Sequence, residues 1–204
     1  MKNKILTLAI LFTLTFNLKA QYNQKDSTYK ECFVGTSMFF LGNLLPENKP
    51  DFVQLNLGYR ITNKDVVSIE LKTWKYAWPL GIPYGESFEA PEEKFPGFIR
   101  EAGFALVYQR FLWKGFYAAI HSMNAWQNFI DNDRNKIDDG FQIFNTYRLG
   151  YHFKLFNNRF FIEPSIAMTH RVFHTEMPTS FKQLDDKWNK TFFPEPGLHV
   201  GFNF

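Results

Sequence analysis

Apolar side chains recur at every second position through most of this chain, and the pattern is cleanest where it ends. Leu198, Val200, Phe202 and Phe204 share one face of the last segment; Gly197, His199, Gly201 and Asn203 share the other. A strand turns successive side chains to opposite sides, so a period of two places one face in apolar surroundings and the other in polar ones. The alternation and its punctuation mark eight extended segments, over residues 32–41, 52–61, 65–76, 100–112, 116–127, 141–155, 159–173 and 195–204. Each approaches or exceeds the roughly 9–11 residues with which a tilted strand crosses a bilayer. No helix of consequence is expected after the first twenty residues.

The connections alternate too. Thr62-Asn63-Lys64, Lys114-Gly115 and Asn157-Asn158 are tight and have the residue types that turns require. Residues 42–51, 77–99, 128–140 and 174–194 form long connections, and long and short succeed each other strictly. An up-and-down arrangement is expected, with the short turns at one end and the long loops at the other. An even number of strands then returns both chain ends to the side of the short turns.

The beginning of the chain reads as an address. Lys2 and Lys4 precede an apolar run from Ile5 to Phe16, and Leu18-Lys19-Ala20 supplies a small residue before Gln21. A charged start, a run of about 7–15 apolar residues and a small-residue exit describe a secretory signal. Residues 1–20 are read as that signal and 21–204 as a single domain. Of the 23 basic residues Lys2, Lys4 and Lys19 lie in the leader, and the other 20 balance 20 acidic ones. A near-neutral chain offers no basic surface, so no nucleic-acid partner is expected. Cys32 is the single cysteine, which excludes an intrachain disulfide. Mean hydropathy is only −0.29, as expected when alternate residues alone face lipid, while 25 Phe, 9 Tyr and 5 Trp suit strands ringed by aromatic girdles.

The leader, the Phe204 ending and the sorting of loops by length together resemble the small outer-membrane β-barrels of Gram-negative bacteria. The resemblance is to the class, covers 21–204, and selects no functional subfamily. It implies an all-β protein, an eight-stranded antiparallel up-and-down transmembrane β-barrel in the cell outer membrane, with both ends of 21–204 on the periplasmic side. It also implies contact with outer-membrane lipid and lipopolysaccharide, and assembly by the barrel-assembly machinery, which reads the C-terminal strand and its Phe204. A monomer is expected.

Parity assigns the faces. Val53, Leu55, Leu57, Tyr59, Val67, Ile69, Leu71, Phe104, Leu106 and Tyr108 point outwards, followed by Ile143, Tyr147, Leu149, Tyr151, Phe160, Ile162, Ile166 and Met168. A polar lumen network is expected from Arg60, Glu70, Lys72, Glu101, His121, Arg148, His152, Glu163, Arg171, Glu195 and His199, with Gln54, Asn56, Ser68, Gln109, Gln142, Thr146 and Lys154 on the same face. Eight strands enclose a space that side chains fill or one small ligand occupies. Charges there must pair or meet water, so a largely occluded lumen follows. Pro164 removes a ladder donor inside the seventh segment, where a bulge is expected.

A structural or surface-interaction role is the first functional expectation. An enzyme acting on outer-membrane lipid, a narrow channel or small-ligand barrel, and a soluble β-barrel with a ligand cavity remain open beside it. The lipid A deacylase barrels use a His-x-Ser pair with an acid; here no His is followed two residues later by Ser. His121 and Ser122 are adjacent and so face opposite ways. His174-Thr175-Glu176 has no nucleophile near it, and the five histidines lack metal-ligand spacing, so no metal or cofactor is expected. Asp131-Asn132-Asp133-Arg134-Asn135 lacks the glycine and the glutamate of an EF-hand loop and is read as a polar turn. Loops 77–99 and 174–194 are rich in aromatics and opposite in charge, which suits either a lid across the mouth or a cover against lipopolysaccharide.

Overall fold

The computed structural model describes residues 30–45, 49–77, 95–187 and 189–204. The expected leader and most of loop 77–99 lie outside the described residues. The strands are β1 (Cys32–Ser37), β2 (Val53–Arg60), β3 (Asp65–Tyr76), β4 (Gly97–Trp113), β5 (Phe116–Asp131), β6 (Lys136–Tyr151), β7 (Phe153–Leu155), β8 (Phe160–His174) and β9 (Thr191–Asn203). Apart from β6 and β7, which follow one another along the same line, neighbours in sequence pair antiparallel; β1 also meets β9, and β6 and β7 both meet β8. Because β6 and β7 are two lengths of one stave, the sheet closes in a ring of eight strands, though not a regular barrel.

Three irregularities matter. The first is at Pro164, where the expected bulge does not occur. Gly150 pairs with Ser165 and Phe153 with Ile162, so the register runs unbroken past the proline. By the same register Pro164 stands opposite Tyr151, and the strand pairing lapses there, between β6 and β7. The His152 N–H points the other way and donates to the Gly115 carbonyl at 2.8 Å, continuing the β5–β6 register. The register shifts involving β8 lie elsewhere, between Ala167 and Thr169 and opposite Ile143 and Phe144.

Secondly, β1 is shorter than its alternation suggests. The chain leaves the sheet after Ser37, whose hydroxyl accepts from the Phe39 N–H at 3.2 Å, and winds through a 3-10 turn at Met38–Leu44. Pairing of β1 therefore stops at Gly35 on the β2 side and Ser37 on the β9 side. Above that point the Asn43 amide stands in for a strand: it donates to the Phe52 carbonyl and accepts from the Phe52 N–H, both at 2.8 Å. Pro194 and Pro196 occupy the facing stretch of β9.

The third correction concerns residues 128–140, expected as a long loop. Strands β5 and β6 run on through most of it, pairing Asn128 with Asp139 and Phe129 with Asp138. Only 132–135 turn, closed by Asp131, whose carboxylate accepts from the Asn135 N–H at 2.8 Å. The polar residues there are the solvent faces of a projecting hairpin, while Phe129 stays fully buried on the inner face. The strict alternation of long and short connections fails at this one hairpin. Likewise the expectation of no helix is corrected by α1 (Thr179–Asp185), seven residues that put Phe181, Leu184 and Asp185 inside.

Outward-facing residues include Val53, Leu57, Tyr59, Leu106, Leu149 and Phe160, all exposed, while Gln54, Arg60, Glu70, Glu101, Arg148 and His199 are buried. Lys154, expected inside, is exposed near the turn end. Aromatics crowd the inner face at that end: Phe33 packs edge-on against Phe161 with centroids 5.5 Å apart, and Arg60 lies over the Phe33 and Phe111 rings. Gly58 makes this possible, since a Cβ there would sit 1.9 Å from the Phe33 ring. Gly58→Ala is expected to cost about 1–3 kcal/mol by overpacking, read as a lower urea midpoint, and Phe33→Leu in the same chain should recover part of it.

Candidate functional site

The ring interior holds the chemistry-bearing side chains, in tiers from the loop end to the turn end. At the loop end α1 sits across the ring. Phe181 packs against Phe129 with centroids 5.0 Å apart, beside buried Tyr76 and Ile99. Asp185 takes both arms of the Arg171 guanidinium, at 2.7 and 2.5 Å, and Lys190 donates to the same carboxylate and to the Asp185 backbone carbonyl. Two lysines of this last loop thus pair within it, Lys190 with Asp185 and Lys182 with Asp186. The acid-rich loop expected opposite them lies outside the described residues, apart from its ends.

Beneath the helix lies Glu101, 2% exposed. Trp74 Nε1 donates to its Oε1 at 3.0 Å; Tyr76 Oη at 2.6 Å, Gln142 Nε2 at 2.5 Å and Gln127 Nε2 at 3.3 Å converge on Oε2. Four neutral donors from β3, β5 and β6 satisfy a carboxylate carried by β4. Leaving such a group without donors in low dielectric costs several kcal/mol, so this knot ties four strands at one level. Gln127 also donates to Tyr76 Oη at 2.6 Å, and its own buried Oε1 has no partner among the described residues.

The next tiers contain ion pairs and, unexpectedly, an apolar block. Glu70 meets His121 Nδ1 at 3.2 Å and Lys72 at 3.9 Å, and the Lys72 ammonium lies over the Trp74 and Phe144 rings. Arg148 reaches Glu195 at 3.2 Å and Ser165 at 2.8 Å, while Glu195 also accepts from Thr169 at 2.5 Å. Ala105, Val107, Met123, Ala125 and Phe144 form a buried cluster beside them. These five come from three successive strands, β4, β5 and β6, where small and apolar inward residues close-pack like any core.

Nearer the turns, Glu163 holds His152 Nδ1 at 2.7 Å and accepts from Gln109 at 3.2 Å; His199 is its register partner on β9. The His152 ring is stacked on Phe161 and edge-on to Phe111, with Nε2 buried and unpartnered among the described residues. Arg60 donates to Asn203 at 3.2 Å, and Asn203 in turn donates to the Asn158 carbonyl at 2.8 Å. Phe204 is outside this system: it is exposed, and stacks on Phe202 on the outer surface.

The expected interior residues therefore fall into separate knots rather than one network. Arg60, Glu70, Lys72, Glu101, His121, Arg148, His152, Glu163, Arg171, Glu195 and His199 all lie on the inner face, but Arg60 and Arg171 stand at opposite ends. Sequence reasoning missed Trp74, Tyr76, Gln127, Thr169 and Asp185. For Trp74 and Tyr76 the signal was present, since they continue the inward parity of Glu70 and Lys72.

Chemically, a base oriented by a carboxylate is half of a nucleophilic site. The His152–Glu163 pair has that geometry but is walled by aromatic rings, and His152 is 4% exposed. His121 points inwards and its neighbour Ser122 outwards. The outer face carries hydroxyl, amide and imidazole side by side, because Ser122 pairs with Asn145 and Asn145 with His170. That order sets the hydroxyl two strand spacings from the imidazole, about 10 Å, too far for proton transfer between them. The interior side chains bond and pack chiefly against one another. A comparison with known proteins finds no matching family model, no matching curated protein and no matching solved structure.

Proposed function

We propose that this protein is an integral outer-membrane β-barrel, filled inside and displaying its long-loop end to the surroundings, with a structural or surface-interaction role. One observation carries the reading: the outer surface bears two aromatic bands with a mostly apolar wall between them, exposed Leu71, Leu106, Ile120, Leu149 and Ile166 among it. Trp126 and Phe141, in contact at 5.5 Å, mark one band; Phe116 and Tyr151, register partners, mark the other. Along β5 and β6 the bands are ten positions apart. At a rise of ~3.4 Å per residue and a tilt of ~40°, ten residues cover ~26 Å along the ring axis. A bilayer-spanning barrel presents an apolar band about 25 Å tall between aromatic girdles. Water would penalise that surface, whereas lipid would not.

In this setting the two chain ends described, Lys30 and Phe204, belong on the periplasmic side, with the short turns. The filled interior argues for a closed wall and places the interacting surface on the projecting β5–β6 hairpin and the α1 loop. The chain is expected to fractionate with outer membranes and to migrate faster on a gel unboiled than boiled. The purified chain should give a flat trace in planar bilayers. A freely soluble mature chain overturns the membrane reading; steady ion conductance overturns the closed interior.

A further inference from the structure

One stretch of the outer wall breaks the apolar rule. Ser122, Asn145 and His170 stand in a lateral row across β5, β6 and β8, each the register partner of the next. None of their side chains has a hydrogen bond or ion pair among the described residues, and His170 is exposed. Directly beneath them run Ile120, Tyr147 and Met168, a row of exposed apolar side chains in the same register. Above them stand Asn124, Ile143 and Phe173, so on β6 and β8 the polar row lies between apolar side chains, while on β5 it continues into Asn124.

Its depth decides what can cover it. Ser122 lies four positions from Trp126 and six from Phe116; Asn145 lies four from Phe141 and six from Tyr151. At ~2.6 Å per residue along the axis, the tilted-strand rise used above, the row is about 10 Å inside the nearer girdle. Lipid offers only methylenes there, and an unpaired amide or imidazole in hydrocarbon costs several kcal/mol. Headgroups are excluded, which leaves protein as the source of partners. The row is also self-complementary, because amide and neutral imidazole each donate and accept. A two-fold contact sets residue i of one copy against j of the other, and j against i.

We propose that this face is where two copies of the chain meet in the membrane, with Asn145 and His170 of each copy bonding those of the other. The proposal rests on the membrane reading above. The face between β4 and β8 is roughly 15–20 Å wide, from a strand spacing of ~4.8 Å, so it covers less than the ~800 Å² per partner of a standard interface. The polar row, rather than area, then sets the affinity, and the dimer is reversible.

The test uses the lone cysteine. In a Cys32→Ser chain, Tyr147→Cys places one thiol beside an intact row, and Leu57→Cys places one on β2 as a control. After reconstitution in phosphatidylcholine vesicles, oxidation should link the Tyr147→Cys chain into a covalent dimer and leave the Leu57→Cys chain monomeric. Adding Asn145→Leu and His170→Leu should lower the linked fraction at least ten-fold while the heat-modifiable band persists. Equal linking at both sites, or linking unchanged by the leucines, overturns the proposal with the membrane reading intact. A chain that shows no heat-modifiable band and does not enter vesicles overturns that reading, and the proposal with it.

Discussion

Asp185→Asn is expected to unseat α1 and expose residues 175–190 to protease at pH 7. In the native chain both arms of Arg171 are spent on Asp185, and the Arg171 side chain is 5% exposed. Removing one partner of a buried pair strands the other charge, at a cost of about 3–5 kcal/mol. With 1.4 kcal/mol per factor of ten, the open population should rise by roughly a hundred-fold or more. Acid should do the same to the native chain, with a definite sign. Burial raises the Asp185 pKa, but hydrogen bonds from Arg171 and Lys190 outweigh it and hold the carboxyl below its ordinary value. A depressed folded pKa gives stabilisation that is complete above the unfolded value, near ~3.9, and lost as pH falls through the folded one. Protection of 175–190 should therefore persist down to about pH 4 and fail below it. Conductance should stay absent in Asp185→Asn, because the Glu101 knot and the apolar block still fill the interior below the helix.

Glu101→Leu should be the most damaging single change inside the ring. Its carboxylate accepts from Trp74, Tyr76, Gln127 and Gln142 at once; leucine would strip Trp74 and Tyr76 of this acceptor and leave Gln127 and Gln142 to share the Tyr76 hydroxyl. At about 1–3 kcal/mol per stranded group, partly relieved by repacking, the loss should reach roughly 3–6 kcal/mol. Glu101→Gln tests the assignment more finely. Its oxygen can keep the three donors now on Oε2, but its amide nitrogen then faces the Trp74 N–H, donor against donor. A smaller loss, about 1–2 kcal/mol, is expected for that one mismatch. Urea midpoints of the two variants should fall in that order, and equal midpoints would sink the account of the knot.

Much of this architecture was legible because strand parity is a strong signal. Where Leu149 and Arg148 alternate, one face must be apolar and the other polar, and a slip of one residue would invert every side chain. What was not legible depended on contacts distant in sequence. Residues 128–140 read as a loop because Asp131, Asp133, Asp138 and Asp139 are polar, yet a hairpin projecting beyond its neighbours has solvent on its outer face and can be polar and extended. β1 read too long because Phe39 and Leu41 continue its alternation, while the Ser37 cap redirects the chain. α1 is too short to show helical periodicity over several turns, and its burial is set by Arg171 and Phe129 on other strands. The Pro164 expectation failed for a related reason. The missing donor leaves only a short lapse opposite Pro164, between β6 and β7, and the register is kept.

The early departure of β1 has a consequence for the company this molecule keeps. Above Ser37 no strand pairing joins the two lips of the wall among the described residues, one lip formed by the start of β2 and the other by the upper part of β9, against which the 3-10 turn lies. Bare lips of this kind recruit stray β-segments, and the result is runaway polymer. Here the Asn43 carboxamide occupies the Phe52 peptide on one lip, and Pro194 and Pro196 withhold their N–H groups on the other. The ring can remain imperfectly closed without templating its own aggregation.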